Sequence, residues 1–145
     1  MSPTINLICR EMIRKTLAHY AGTAPDPNSV ADATFIIWNL VAVRLTPVIG
    51  TKGVDILFRR SLHLTSFSFP WLAMTDEYED TPSLLSSAKA RLANRETSDS
   101  TEAGCTLLIT FTELLKTLIG ESLTGRLLGT IWVSPSSTTE QENLS

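Results

Sequence analysis

Residues 35–43 (FIIWNLVAV) are apolar apart from Asn39, and this run constrains the fold more than any other part of the chain. A helix that is apolar around most of its circumference has to be enclosed by other helices. The run is therefore expected to be the central helix of a bundle. It is closed by Arg44 and falls well short of the roughly 20 apolar residues needed to cross a bilayer, so it reads as a core segment with no membrane role. Asn28 or Ser29 would cap this helix and Asp32 suits its first turn. It is expected to run to Leu45 or Thr46, where Pro47 ends or kinks it by removing a hydrogen bond and crowding the preceding turn. Its β-branched residues would also suit a buried strand, but the length of the pattern and the polar first turn favour a helix.

The remaining patterns supply the partners. Ile5, Ile8, Cys9, Met12, Ile13, Leu17 and Tyr20 recur every three or four positions, which predicts a helix over residues 4–21 that stops at Gly22. A third helix is expected over residues 52–66, burying Val54, Leu57, Phe58, Ser61, Leu62 and Thr65. The aromatic segment 67–72, broken by Pro70, would pack its rings as a turn, with a short helical turn over 71–74. Thr81 and Pro82 start a peripheral helix over 82–94, followed by a polar, mobile loop over 96–101. Leu107, Leu108, Phe111, Leu114, Leu115, Leu118 and Ile119 make the strongest amphipathic helix, beginning at Thr101 or Glu102 and ended by Gly120. Ser122 would cap a last helix through Leu123, Leu127, Leu128 and Ile131, with Trp132 near its end. Residues 134–145 have nothing to bury and are expected to form a disordered tail. No hairpin signal or internal repeat competes with this reading. The expected fold is all-α: one domain over residues 1–133, a bundle of five to six helices.

Composition narrows the function by exclusion. The chain has 145 residues, a net charge of −3 and 43% hydrophobic residues, enough for one domain without a disulfide or metal. Residues 1–65 hold seven basic and four acidic side chains, whereas residues 66–145 hold five and eleven. Such a dipolar distribution lacks the basic stripe of a nucleic-acid binder. Cys9 and Cys105 lie in apolar helical patterns, have no partner at metal-ligand spacing, and read as reduced core thiols of a cytoplasmic protein. Arg10, Glu11, Arg14 and Lys15 interrupt any signal-type apolar region near the N-terminus. No cofactor or metal motif is present.

Three constellations are candidate sites. Arg59, Arg60 and His63 share a helical face at spacings of three and four and could hold a carboxylate or phosphate; a solvated face with Asp55 pairing Arg59 is the plainer reading. Phe58, Phe67, Trp71 and Phe111 could line a pocket between helices, or simply fill the core. Leu114, Leu115 and Leu118 sit in adjacent apolar pairs, so one member can face the central helix while the other faces a neighbouring helix or a second subunit. A phosphotransfer histidine at His63 is not claimed: the likeness is architectural only, and the basic residues precede His63 where such modules have them following. His19 suits a helix C-terminus, and the acidic cluster Asp76, Glu77, Glu79 and Asp80 lacks the ligand spacing of a calcium loop. Glu113 is placed to pair Lys116, or Arg44 or Arg59 of another helix. No catalytic residue is identified. The expected function is a non-catalytic helical interaction or regulatory module, with a homodimer or another protein as partner. The alternative is a sensor that binds a small molecule or anion.

Overall fold

The computed structural model describes residues 3–23, 26–73 and 81–132. The expected tail over 134–145, the acidic cluster at 76–80 and the end of the turn at 71–74 lie outside the described residues. Among the described residues the chain is all-α, with helices α1 (Pro3–Ala21), α2 (Pro27–Thr65), α3 (Thr81–Ala93), α4 (Thr97–Ile119) and α5 (Glu121–Leu128), and a single 3₁₀ turn at Pro70–Leu72.

The second and third expected helices form the two arms of α2, joined at Gly50. Pro47 does not end the first arm. The helix runs through it and continues to Gly50, although a proline there removes one backbone donor. The break comes at Gly50, whose φ of 82° and ψ of 160° suit a residue without Cβ. Trp38 and Phe58 would be about 30 Å apart along a straight helix, yet their ring centroids are 4.6 Å apart. The arms therefore fold back on each other. Asp26, not Asn28 or Ser29, is the N-cap. Its carboxylate accepts from the Ser29 N–H at 2.7 Å while Ser29 Oγ accepts from the Asp26 N–H at 2.9 Å. Pro27 takes the first helical position, where its missing donor costs nothing.

α4 also begins earlier than expected. The polar stretch over 96–101 is mostly its first turn, because Ser100 is fully buried and donates its hydroxyl to the Leu92 carbonyl at the end of α3. Thr101 Oγ1 donates to the Thr97 carbonyl. Gly120, with φ 93°, both ends α4 and starts α5, so Ser122 lies inside α5 rather than at its cap.

α2 is central, packing on α4 most extensively and also on α1, α3 and α5. Four rings form the middle of the core. Trp38 meets Phe111 of α4 edge-on at 4.7 Å and Phe58 of the second arm at 4.6 Å, and Phe35 meets Phe58 at 6.3 Å. Helices α1, α2 and α4 converge where Gly104 lies against Thr34 and Leu17. The buried hydroxyls of Thr16, Thr34, Ser61, Thr65, Thr112 and Thr124 each donate to the carbonyl four residues earlier, which satisfies them inside their own helices.

Candidate functional site

The expectation that other helices would enclose the first arm of α2 holds on only part of its circumference. Val30, Thr34, Ile37, Trp38, Val41 and Leu45 are buried. Ile36, Leu40 and Val43, at spacings of four and three, are 44%, 39% and 73% exposed. Helical geometry puts these three on one stripe, opposite the buried one. Asp32 and Arg44 extend the stripe at its two ends, and both are exposed. Asp32 Oδ1 accepts from Lys89 Nζ of α3 at 2.7 Å, and Arg44 has no ion pair among the described residues. Exposed apolar residues are ordinary when scattered; here three of them lie together along one helical stripe, which makes it a candidate surface. Among the described residues α2 is also the one helix long and apolar enough to cross a membrane, over a window of mean hydropathy 1.5 that is 39% buried.

The residues singled out from sequence do not assemble into one site. Arg59 Nε donates to Asp55 Oδ1 at 3.2 Å on the second arm of α2. Arg60 and His63 are exposed on the same arm, and the His63 ring stands edge-on to Phe67 at 5.1 Å. Phe58 and Phe111 are core rings against Trp38. Phe67 is 72% exposed, and Trp71 sits apart beside α3. Of the three leucines, Leu115 is fully buried, Leu114 is half-buried against the core and Leu118 is 59% exposed. His19 lies at the exposed end of α1, edge-on to Tyr20 at 5.2 Å.

Sequence reasoning missed a cleft of about 200 Å³ lined by Trp71, Arg91, Asn94 and Arg95. Arg91 Nη1 donates to the carbonyls of Trp71 at 3.0 Å and Ala73 at 2.6 Å, and the Arg95 guanidinium stacks 4.8 Å above the Trp71 ring. The two arginines are four positions apart, Arg91 in α3 and Arg95 in the bend after it, but their aromatic partner is twenty positions before the first of them, so spacing alone could not reveal the cleft. The outer stripe of α2 did have a signal: Asp32, Ile36, Leu40 and Arg44 recur every four residues. It was hidden within a run that looked apolar all round.

Among the described residues, three titratable groups are shifted by their surroundings. Burial raises the Cys105 thiol to about 11, which keeps it protonated and unreactive at neutral pH. Arg14 Nη2 donates to both carboxylate oxygens of Glu102 at 2.8 and 3.1 Å. That bond holds Glu102 below and Arg14 above their ordinary values. Among the described residues no group of three or more His, Cys, Asp and Glu side chains could hold a metal. Comparison with protein-family models, curated protein sequences and solved structures gives no match.

Proposed function

We propose that the chain is a non-catalytic helical interaction module whose contact surface is the outer face of the first arm of α2. The observation that carries this reading is the exposed stripe Ile36, Leu40 and Val43 on the helix that organises the core. One face of the helix is fixed by Trp38 and its ring partners, so the opposite face is presented on a rigid element. A rigid, preorganised face loses little conformational freedom on docking. The Cys105 and Arg14–Glu102 environments serve packing and surface pairing, and neither prepares a reacting group. Photo-crosslinking tests the reading. A photoreactive residue at position 43 should yield a discrete protein adduct in cells that the same residue at exposed Lys15 does not. The adduct should disappear when Ile36 and Leu40 are both changed to Lys. Identical adducts from both positions, or none from either, would rule out this surface.

A second reading, anion binding, is favoured by the cleft at Trp71, Arg91, Asn94 and Arg95. Two guanidinium groups and a side-chain amide converge there beside an aromatic face, a combination that suits a planar carboxylate. Titration with benzoate should shift the Trp71 indole resonance and not that of Trp132. An unshifted Trp71 resonance would exclude this reading.

A further inference from the structure

We infer that the occupant of the α2 face is a second copy of this chain, docked antiparallel about a two-fold axis passing between Ile36 and Leu40. The inference rests on the interaction reading above and specifies its partner. Asp32, Ile36, Leu40 and Arg44 lie four residues apart and form one ridge along the helix surface. Along the ridge the order is acid, apolar, apolar, base. Read from its other end the order is base, apolar, apolar, acid, so the ridge complements its own reverse.

A two-fold contact requires that if one residue meets another, the second also meets the first across the axis. With the axis between Ile36 and Leu40, Ile36 meets Leu40 of the second copy and Asp32 meets Arg44 of the second copy, each contact occurring twice. A parallel pairing in register would set Asp32 against Asp32 and Arg44 against Arg44. Sliding the antiparallel pair by one turn puts apolar residues opposite charges. The antiparallel, unshifted register alone satisfies both the apolar and the charged positions. Val43, the most exposed of the apolar residues at 73%, flanks the ridge and widens its apolar floor. Asp32 accepts from Lys89 through Oδ1, which leaves Oδ2 for a guanidinium. Val48, also exposed, continues the ridge one turn beyond Arg44, outside the self-complementary stretch, whereas exposed Tyr20, Ile56, Phe67, Leu118 and Leu123 lie on α1, the second arm of α2, the turn after it, α4 and α5. One ridge and its flank cover less than the roughly 800 Å² per partner of a standard interface, so the dimer is a weak one, with dissociation in the micromolar range or above.

Sedimentation equilibrium of the full chain from about 10 µM to 1 mM tests this. The wild-type mass should rise from 15.9 kDa toward twice that value. Asp32→Arg and Arg44→Asp should each weaken association by roughly tenfold, because symmetry doubles every altered charge contact. An equimolar mixture of the two single variants should regain the wild-type association, since one then supplies only bases and the other only acids at the ridge ends. The double variant Asp32→Arg/Arg44→Asp should associate like wild type. Recovery on mixing cannot come from a misfolded chain. A mixture no stronger than its components, or a monomer at every concentration, overturns the self-pairing. If the chain is monomeric and the position-43 adduct has another protein's mass, the self-pairing falls and the interaction reading stands. If it is monomeric and floats with phosphatidylcholine vesicles, both fall.

Discussion

Gly104 illustrates how a single hydrogen atom sets the distance between three helices. A Cβ built there would lie 2.6 Å from Thr34 Oγ1 and 3.6 Å from a Leu17 methyl. Thr34 is fully buried and its hydroxyl is committed to the Val30 carbonyl, so it cannot swing away. Gly104→Ala should therefore cost about 1–3 kcal/mol, the usual penalty of overpacking, as read by urea denaturation. Thr34→Ala combined with Gly104→Ala should recover part of that loss, because the clashing oxygen is gone. Cys105 lies one residue further on, in the same core. Its thiol is raised to about 11, whereas in the unfolded chain it titrates near 9. Below pH 9 both states hold the proton and the thiol contributes no pH dependence. Between pH 9 and 11 the unfolded state ionises and the folded state does not, so stability falls as pH rises, by up to roughly 2–3 kcal/mol. Thiol reagents should leave Cys105 unmodified at neutral pH until denaturant is added.

Among the elements, α2 shows how far local pattern reaches. Its two arms and their buried stripes are legible from apolar spacing, as are α1, α3 and the amphipathic stretch of α4. Its turn is not. Pro47 carries the stronger sequence signal for a break, yet the helix passes through it. The chain reverses at Gly50, where backbone conformation alone decides. No atom lies within 4 Å of a Cβ at Gly50, so Gly50→Ala would meet no clash and would pay only for its positive φ, about 1–3 kcal/mol. Gly125 is the control: it is helical, exposed and equally open, and Gly125→Ala should stabilise by up to about 1 kcal/mol. Chemical denaturation of the two variants separates backbone strain from lost flexibility. The candidate surface was hidden for a related reason. A 3.6-residue period shows that a helix is apolar on several faces, but not how many neighbours the chain has to cover them. Here α1, α3, α4 and the second arm of α2 are too few, and the Ile36–Leu40–Val43 stripe is left over. The start of α4 was misjudged because Ser100 looks like a loop residue until its hydroxyl is seen closing the end of α3.

In the whole molecule, charge and apolar surface have separate roles. The opposite charge balances of the two halves are joined by only two ion pairs among the described residues, Arg14–Glu102 and Lys89–Asp32, and all four side chains are about half exposed. Such pairs contribute little to stability. Glu102 protonation on acidification should therefore lower the melting temperature only slightly as pH falls below about 4, the direction expected of a carboxylate held below its ordinary value. The core rings around Trp38 sit inside the fold, and Ile36, Leu40 and Val43 on the outer face of the same helix are exposed. The contrast between Leu115→Glu and Leu40→Glu tests that division most directly, with melting temperature and sedimentation measured on each. Leu115 is fully buried in the core and Leu40 is 39% exposed. Leu115→Glu should unfold the domain, while Leu40→Glu should melt with wild type and remain monomeric at concentrations where wild type associates. A Leu40→Glu chain that unfolds, or one that associates as wild type does, would contradict the account.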